Sequence, residues 1–231
     1  MKPISNQKVV VIFGAPGSGK GTQAKLVADK YGLYNFDTGL LLRRLLHDPK
    51  FKKNREIQKE RVLNDDGKLN TPSFVLKMVR NKVVEIAREN IGLVFSGSPR
   101  TLFEAFGDTE NEGLLSYLLK MYERKNIIFF FLSIPEKESI ERNSKRTVCS
   151  ICEVQLLGVI KNKPEICPFC GGKLIKRIDD NPELMQTRLD QFKSRTFPIF
   201  SEMKKRGYKI NQIDGTILPY KVFENISKRI S

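Results

Sequence analysis

The chain has 231 residues, of which 40% are hydrophobic and 29% charged, and its formal net charge at pH 7 is +15. This length can bury a sizeable core, and the composition excludes a disordered or fibrous protein. The longest apolar run, residues 127–134, is too short to cross a bilayer, and the N-terminus has no signal-peptide pattern, so a cytoplasmic protein is expected. The positive charge favours polyanionic partners, although a solvated lysine-rich surface would give the same value.

Short apolar runs alternate with helical stretches along the chain. The first run, residues 8–13 (KVVVIF), is rich in β-branched residues and ends at a glycine-rich turn, which indicates a buried strand. Helical spacing follows directly, over residues 20–31. Further strands are predicted at residues 93–95, 127–134 and 208–213. The alternation predicts a three-layer α/β fold, with a parallel sheet between helices.

Two segments interrupt this alternation. Residues 38 to about 71 are polar and helical, whereas residues 146–180 contain the cysteines and several glycines and prolines. Both are expected at the carboxyl ends of the strands, where ligand-binding loops collect in such sheets. The predicted domains are a core of residues 1–37, 73–144 and 181–231, a helical insertion of residues 38–72 and a cysteine-rich insertion of residues 145–180.

The loop between the first strand and the first helix predicts a phosphate-binding site. It follows the pattern GxxxxGK, in which glycines let backbone N–H groups converge on an anion and the helix N-terminus adds a positive dipole. Lys20 would reach the outer phosphates, and the Thr22 hydroxyl would bind Mg²⁺ or a phosphate oxygen. The predicted loop residues are Gly14, Ala15, Pro16, Gly17, Ser18, Gly19, Lys20, Gly21 and Thr22.

The four cysteines form two Cys-x-x-Cys pairs, Cys149 with Cys152 and Cys167 with Cys170. Four thiolates match a tetrahedral, structural Zn²⁺ site with no open position, while a redox pair or an iron–sulfur cluster are the alternatives. Disulfides are disfavoured in a cytosolic chain. A zinc ribbon could bind nucleic acid, or it could hold a small segment that has no core of its own. The basic residues available for nucleic acid are Lys161, Lys163 and Lys173.

The string GAPGSGKGTQ resembles the adenylate kinase family more closely than P-loop proteins in general, because Gly21 stands between the lysine and the threonine. Other motifs similar to those of that family follow in the expected order over nearly the whole chain. Two of them, TGLLLR from Thr38 and GSPRT from Gly97, resemble its monophosphate-binding motifs. Arg142 and Arg146 resemble the arginine pair entering its lid, and RIDD from Arg177 together with Arg188 resembles the segment leaving the lid. DGT from Asp214 resembles the loop near the ATP base.

The resemblance implies a P-loop NTPase fold with a helical monophosphate-binding insertion and a zinc-binding lid that closes over the phosphates. It implies Mg²⁺-dependent, reversible phosphoryl transfer from ATP to AMP, giving two ADP, by a monomer with no membrane or nucleic-acid partner. The arginines would hold phosphate oxygens and neutralise the charge of the transition state. The implied catalytic residues are Lys20, Arg100, Arg146, Arg177 and Arg188. Beyond the loop, the implied ATP site adds Arg142 and Gly215. The implied acceptor site comprises Thr38, Gly39, Arg43, Lys68, Asn70, Gly97, Arg100, Glu104, Arg177 and Arg188.

Two departures from the family pattern concern the metal. The family usually has aspartates at the positions of Leu40 and Ser96, where they orient water around Mg²⁺. Asp37, where the family often has serine, could take over part of this role, or it could simply cap the following helix. The missing carboxylates make a catalytically weak nucleotide-binding homologue the alternative function.

A third departure concerns the acceptor base. The family usually has glutamine at the position of Glu104, and a carboxylate can only accept hydrogen bonds. Guanine presents two adjacent donors, so GMP is an alternative acceptor. AMP is favoured, because one side chain changes discrimination between bases by only a few kcal/mol.

Overall fold

Five parallel strands form the central sheet of the computed structural model, which describes residues 3–156, 165–176 and 182–230. The strands of the described chain are β1 Val9–Gly14, β2 Tyr34–Phe36, β3 Leu93–Ser96, β4 Ile127–Ser133, β5 Thr147–Cys149, β6 Gln155–Leu156, β7 Leu174–Ile175 and β8 Ile210–Asp214. The central sheet has the order β2-β3-β1-β4-β8, so the first strand lies in the middle. The three remaining strands form a small antiparallel sheet, in the order β6-β5-β7.

Strand β1 is buried on both faces, which explains its continuous apolar run. Val9 and Val11 join the larger core cluster on one side of the sheet, whereas Val10 and Ile12 join a second cluster on the other side. Successive side chains of a strand point to opposite faces, so a central strand between two helical layers needs apolar residues at every position. The predicted three-layer α/β fold is confirmed.

Helices cover both faces of the sheet. Their bounds are α1 Lys20–Tyr31, α2 Thr38–Leu46, α3 Arg55–Asp65, α4 Pro72–Arg88, α5 Leu102–Phe106, α6 Leu114–Met121, α7 Glu136–Lys145, α8 Pro182–Gln191, α9 Pro198–Lys205 and α10 Pro219–Ser227. A π-helical segment, Phe192–Thr196, joins α8 to α9. Helices α1 and α10 contribute to the second cluster, while α4, α6 and α9 contribute to the larger one. No helix in the described ranges is both long and apolar enough to span a membrane.

Along the chain, each of the two predicted insertions falls between elements of the central α/β fold. Helices α2 and α3 fall within residues 38–72, where the described chain has no strand, and the small antiparallel sheet falls within residues 145–180. The domain boundaries themselves stay predictions. We call residues 38–72 the acceptor insertion and residues 145–180 the lid.

The sequence predicted the long strands and missed the short ones. Strand β2 has three residues and the lid strands two or three, which is too short for a clear alternation of side chains. Strand β8 begins at Ile210 and not at the predicted Tyr208. The Tyr208 N–H instead bonds to the Met203 carbonyl, in the turn at Gly207 that ends α9.

Candidate functional site

The phosphate loop is held against α7 by close backbone contacts. The Ser139 hydroxyl donates to the Pro16 carbonyl at 2.6 Å. Gly17 has a φ of +76°, and a Cβ atom at this position would lie 2.3 Å from the Asn143 amide nitrogen. Gly19, with a φ of +90°, precedes the first turn of α1. Backbone conformation therefore favours glycine at both positions, and lack of space adds to this at Gly17.

Lys20 lies at the start of α1 with its ammonium against the loop. Its Nζ donates to the carbonyls of Gly14 and Ala15, each at 2.8 Å. Burial is the largest cause that lowers the pKa of Lys20 well below its ordinary value, and the neighbouring arginines lower it further. An anion bound beside Lys20 would favour the charged form of the amine, since opposite charges stabilise each other.

Six cationic side chains converge on one cavity above the phosphate loop, which we call the phosphate cavity. They come from distant parts of the chain, namely α1, α2, the loop after β3, α7, the start of the lid and α8. Such a concentration of positive charge, most of it as guanidinium groups, suits several phosphate groups held close together. The six residues are Lys20, Arg43, Arg100, Arg142, Arg146 and Arg188.

Arg43 and Arg100 meet at Gly39. A Cβ atom at Gly39 would lie 3.2 Å from Arg43 Nη1 and 3.9 Å from Arg100 Nη2. The Arg100 Nε also donates to the Gly97 carbonyl at 2.8 Å, and its own carbonyl accepts from the Thr196 hydroxyl at 2.9 Å. The two predicted monophosphate motifs are thus adjacent, with both guanidinium groups at the cavity.

A second cavity continues from the phosphate cavity towards the acceptor insertion, and we call it the acceptor cavity. Of the residues predicted for the acceptor site, those lining it are Gly39, Arg43, Lys68, Gly97, Arg100 and Arg188. The cavity is also lined by Leu42 of the TGLLLR motif and by residues that the sequence did not predict, among them Asn64, Leu69, Gln191, Phe192 and Thr196. Helical spacing could have found some of them, because Gln191 and Phe192 follow Arg188 by three and four positions.

A third cavity lies on the opposite side of the phosphate loop, and we call it the donor cavity. The predicted residues Gly17, Ser18, Gly19, Thr22, Arg142 and Gly215 line it. Arg142 fixes its wall: Nη1 donates to the Gly215 carbonyl at 2.8 Å, and Nε donates to the Glu138 carboxylate at 2.7 Å. Residues of this cavity that the sequence analysis missed are Glu138, Glu141, Lys145, Leu218 and Pro219.

Asn70 does not line the acceptor cavity, contrary to expectation. Its side chain is 4% exposed and donates to the Glu60 carbonyl at 2.7 Å and to the Glu60 carboxylate at 2.9 Å. The Asn64 amide donates to Asn70 Oδ1 at 2.9 Å. The Asn70 amide is therefore hydrogen-bonded within the acceptor insertion, as buried amide groups normally are.

Glu104 does not line the acceptor cavity either. It is 3% exposed, and its carboxylate accepts from the Arg100 N–H at 3.0 Å and from the Thr101 hydroxyl at 3.1 Å. Thr101 Oγ1 in turn accepts from the Glu104 N–H at the start of α5. This is a variant of the capping box, because the carboxylate accepts from the Arg100 N–H and not from the Thr101 N–H. Burial raises the pKa of Glu104, against the opposing effect of the Arg100 N–H. The carboxylate therefore positions the Arg100 backbone.

Thr38 is 1% exposed and lies at the first position of α2, between Asp37 and Gly39, which both line the phosphate cavity. Arg177 lies outside the described residues, so its predicted role in transfer stays a prediction, as do Lys161 and Lys163 for the nucleic-acid alternative.

The four cysteine sulfurs of the lid lie within 4.8 Å of one another. The Sγ atoms of Cys149 and Cys170 are 3.4 Å apart and those of Cys152 and Cys167 3.6 Å apart, so the thiols are close but unbonded. Four sulfurs about 2.3 Å from a tetrahedral Zn²⁺ would lie roughly 3.8 Å apart, so the cluster fits such an ion. Gly172 is required beside it, because a Cβ atom there would lie 2.9 Å from Cys149 Sγ.

The lid contributes to the phosphate cavity and contacts the acceptor insertion. Arg146 and Gln155 line the phosphate cavity, and Gln155 Nε2 lies 3.4 Å from the Cβ position of Gly21 in the phosphate loop. Glu153 accepts from Arg44 of α2 at 2.8 Å. The lid therefore lies over the phosphate loop, and Gln155 lines the phosphate cavity although no sequence pattern indicated it.

Comparisons with known proteins identify the family of the chain. A family model described as adenylate kinase matches residues 12–208. Adenylate kinase of Elusimicrobium minutum is 33% identical over 96% of this chain and 98% of its own. The adenylate kinases of Methanosarcina barkeri and Clostridium tetani are 31% and 30% identical, each over 94% of this chain and 95% and 96% of their own. The chain belongs to the adenylate kinase family of phosphotransferases.

Proposed function

We propose that this protein transfers the γ-phosphoryl group of ATP to AMP, giving two ADP, with nucleotides in the donor and acceptor cavities and their phosphates meeting between them. The continuity of the three cavities carries this proposal. The donor and phosphate cavities share Gly17, Gly19, Thr22 and Arg142. The phosphate and acceptor cavities share Lys20, Gly39, Arg43, Arg100 and Arg188. Two nucleotides bound end to end would place the transferred group among the cations.

The cationic side chains supply most of the chemistry. Phosphoryl transfer passes through a loose transition state, so catalysis consists mainly of positioning and of charge stabilisation. Arg43 and Arg100 would hold the acceptor phosphate at Gly39, while Lys20, Arg146 and Arg188 would bind the transferring group. Fixed donors aimed at developing charge need no reorganisation during the reaction. Arg177 would join this set from the lid.

The lid would exclude water during transfer. Exposed ATP would lose its phosphoryl group to water, so a closing segment is needed over the phosphates. Arg146 and Gln155 already place the lid at the phosphate cavity. A structural Zn²⁺ held by the four cysteines would keep this small segment folded. This role for the metal explains the cysteines better than nucleic-acid binding does.

Mg²⁺ would bind with ATP and neutralise part of the phosphate charge. It prefers oxygen ligands and is usually held by one or two carboxylates, substrate phosphates and water. The phosphate cavity offers oxygen atoms of Thr22, Asp37 and Ser96. Their chemistry fits the ion, although the acidic residues differ in position from those usual in the family.

Transfer itself is tested by mixing ATP and AMP with the zinc-loaded protein and following ADP, with and without Mg²⁺. We expect Mg²⁺-dependent formation of two ADP for each ATP consumed, and a loss of roughly a hundredfold or more in kcat for Lys20→Met. Lys25→Met is a matched control, because Lys25 also lies on α1 but is exposed and paired with Asp29. No ADP from the wild-type protein, or no tight binding of diadenosine pentaphosphate, would contradict the proposal.

The acceptor is tested by comparing AMP, GMP, CMP and UMP. We expect AMP to be preferred, and we expect Glu104→Gln to leave the ratio of kcat/KM for AMP and GMP within about tenfold of wild type, because Glu104 is used in the capping box. If the wild-type protein instead preferred GMP and Glu104→Gln preferred AMP, Glu104 would read the base, in favour of GMP. We also propose that the protein is a monomer and that it lies in the cytoplasm, where its thiols stay reduced.

A further inference from the structure

The phosphate cavity contains an acidic side chain among its cations. Within the part of the chain that the structure describes, Asp37 is the only carboxylate that lines it. Its charge acts on Lys20 in the direction opposite to that of the surrounding arginines. A negative charge at this place opposes the binding of phosphates, so helix capping alone, which an uncharged residue could provide, does not explain it.

Only part of the Asp37 carboxylate is used for capping. Oδ1 accepts from the Leu40 N–H at 2.9 Å, which confirms the expected cap of α2. Oδ2 lies 3.9 Å from the Cβ position of Gly21, the residue before Thr22 in the phosphate loop. Since an ionised carboxylate has about four acceptor positions, capping leaves most of them available on the side of the loop.

Buried hydroxyl groups beside Asp37 provide an independent observation. Ser96 ends strand β3, lines the same cavity and is 6% exposed, yet its Oγ has no hydrogen-bond partner among the described residues. Thr38 Oγ1, in the residue next to Asp37, is also buried without a partner in the described chain. Buried hydroxyls are normally hydrogen-bonded to protein or water. The Ser96 hydroxyl can therefore bond to a group bound in the cavity that it shares with Asp37.

We propose that Asp37, with Ser96, binds the water shell of the divalent cation that accompanies the nucleotide phosphates. This inference rests on the proposed function, because it places the cation in the cavity where phosphates meet. Asp37 is then a positioning residue, which acts on the reaction through the hydrated metal. The carboxylate comes from the cap of α2, whereas Ser96 at the end of β3 contributes only a hydroxyl.

The test measures metal binding directly. Mn²⁺ is titrated into the protein saturated with diadenosine pentaphosphate, and free Mn²⁺ is read by electron paramagnetic resonance. We expect Asp37→Asn and Asp37→Ser each to weaken Mn²⁺ binding about tenfold, because a carboxylate is the preferred protein ligand around such ions. Without metal, both variants should bind the dinucleotide as tightly as wild type or more tightly, since one negative charge has been removed.

The choice of replacement residues separates the role of Asp37 in helix capping from its proposed role in metal binding. Asn and Ser cap helices as well as Asp does, so both variants should unfold at the wild-type temperature. Asp48→Asn is the matched control, because Asp48 also caps a helical turn through the Lys50 N–H but does not line the phosphate cavity. It should leave Mn²⁺ binding unchanged.

Two results would overturn the inference. Unchanged Mn²⁺ binding in both Asp37 variants would reduce Asp37 to a helix cap, and a loss in only one of them would show that side-chain shape, not charge, is important. Failure of the wild-type protein to bind the dinucleotide even without metal is a different result. It would overturn the proposed function, and this inference with it.

Discussion

The acceptor insertion and the lid border the same cavity but are stabilised in different ways. Leu42, Leu46 and Ile57 of the acceptor insertion belong to the larger core cluster. None of the described lid residues belongs to either core cluster; its most buried side chains are Cys149, Cys167 and Leu156. One insertion is therefore an extension of the hydrophobic core, whereas the described part of the other is not. A segment that borders a cavity without sharing the core needs another source of stability, which a metal bound by the four thiols would supply.

Removal of zinc should destabilise the lid more than any other change destabilises its own region, and this effect should be confined to the lid. Structural zinc contributes about 10–16 kcal/mol in isolated zinc-finger peptides, which the short lid strands cannot replace. With a chelator, or in Cys170→Ser, we expect amides of residues 149–156 and 165–175 to lose protection from hydrogen exchange and transfer to be lost, while the central sheet stays protected.

Ser150→Ala serves as the control for the lid, because Ser150 lies exposed between Cys149 and Cys152 but is not one of the four clustered cysteines. If the sheet lost protection together with the lid, the lid would share the core after all, and the comparison would be wrong.

Leu46→Ala, in contrast to the removal of zinc, should destabilise the hydrophobic core. Leu46 is 1% exposed in the larger core cluster, so its truncation should lower the free energy of unfolding by about 2–5 kcal/mol. Urea denaturation measures this value. Val62→Ala on α3, where the side chain is 61% exposed, should change it by less than about 0.5 kcal/mol. Equal changes in the free energy of unfolding for Leu46→Ala and Val62→Ala would mean that apolar burial does not stabilise the acceptor insertion.

Asn70→Ala should have an intermediate effect on the acceptor insertion. The change leaves the buried Glu60 carboxylate without one of its donors, and an unsatisfied buried polar group costs about 1–3 kcal/mol. Asn64→Ala, which removes only the bond to Asn70 Oδ1, should cost less. Hydrogen exchange of residues 55–71 would locate the loss. A larger change in the lid than in this segment would contradict the assignment of Asn70 to the insertion.

The pair Arg44 and Glu153 should have the smallest effect, although it joins the two regions. Arg44 is 66% exposed and Glu153 35%, and exposed ion pairs contribute about 0.2–1 kcal/mol. A double-mutant cycle on the affinity for diadenosine pentaphosphate, with alanine at each position, measures the coupling, which should fall at high salt. A coupling above about 2 kcal/mol would show that lid and insertion behave as one unit.

Sequence patterns predicted the parts of the site that depend on local chemistry. The phosphate loop, the two cysteine pairs and the order of the arginines all carry recognisable spacing, because each needs particular residue types close together in the chain. Phe192, Gln155 and Leu218 were not predicted, since an apolar or amide side chain has no signature until a distant element lies beside it. Helical spacing after Arg188 was the one signal available for Phe192.

By itself, the sequence determined the alternation of strands and helices, the phosphate loop and the two cysteine pairs. Only the tertiary structure decided that Asn70 and Glu104 turn inward and that Asp37 lies among the cations. The physical reason is that a polar side chain can bond to its neighbours or face a ligand, and its sequence position is compatible with both. The choice follows from which donors and acceptors folding places around it, as the Arg100 N–H does for Glu104.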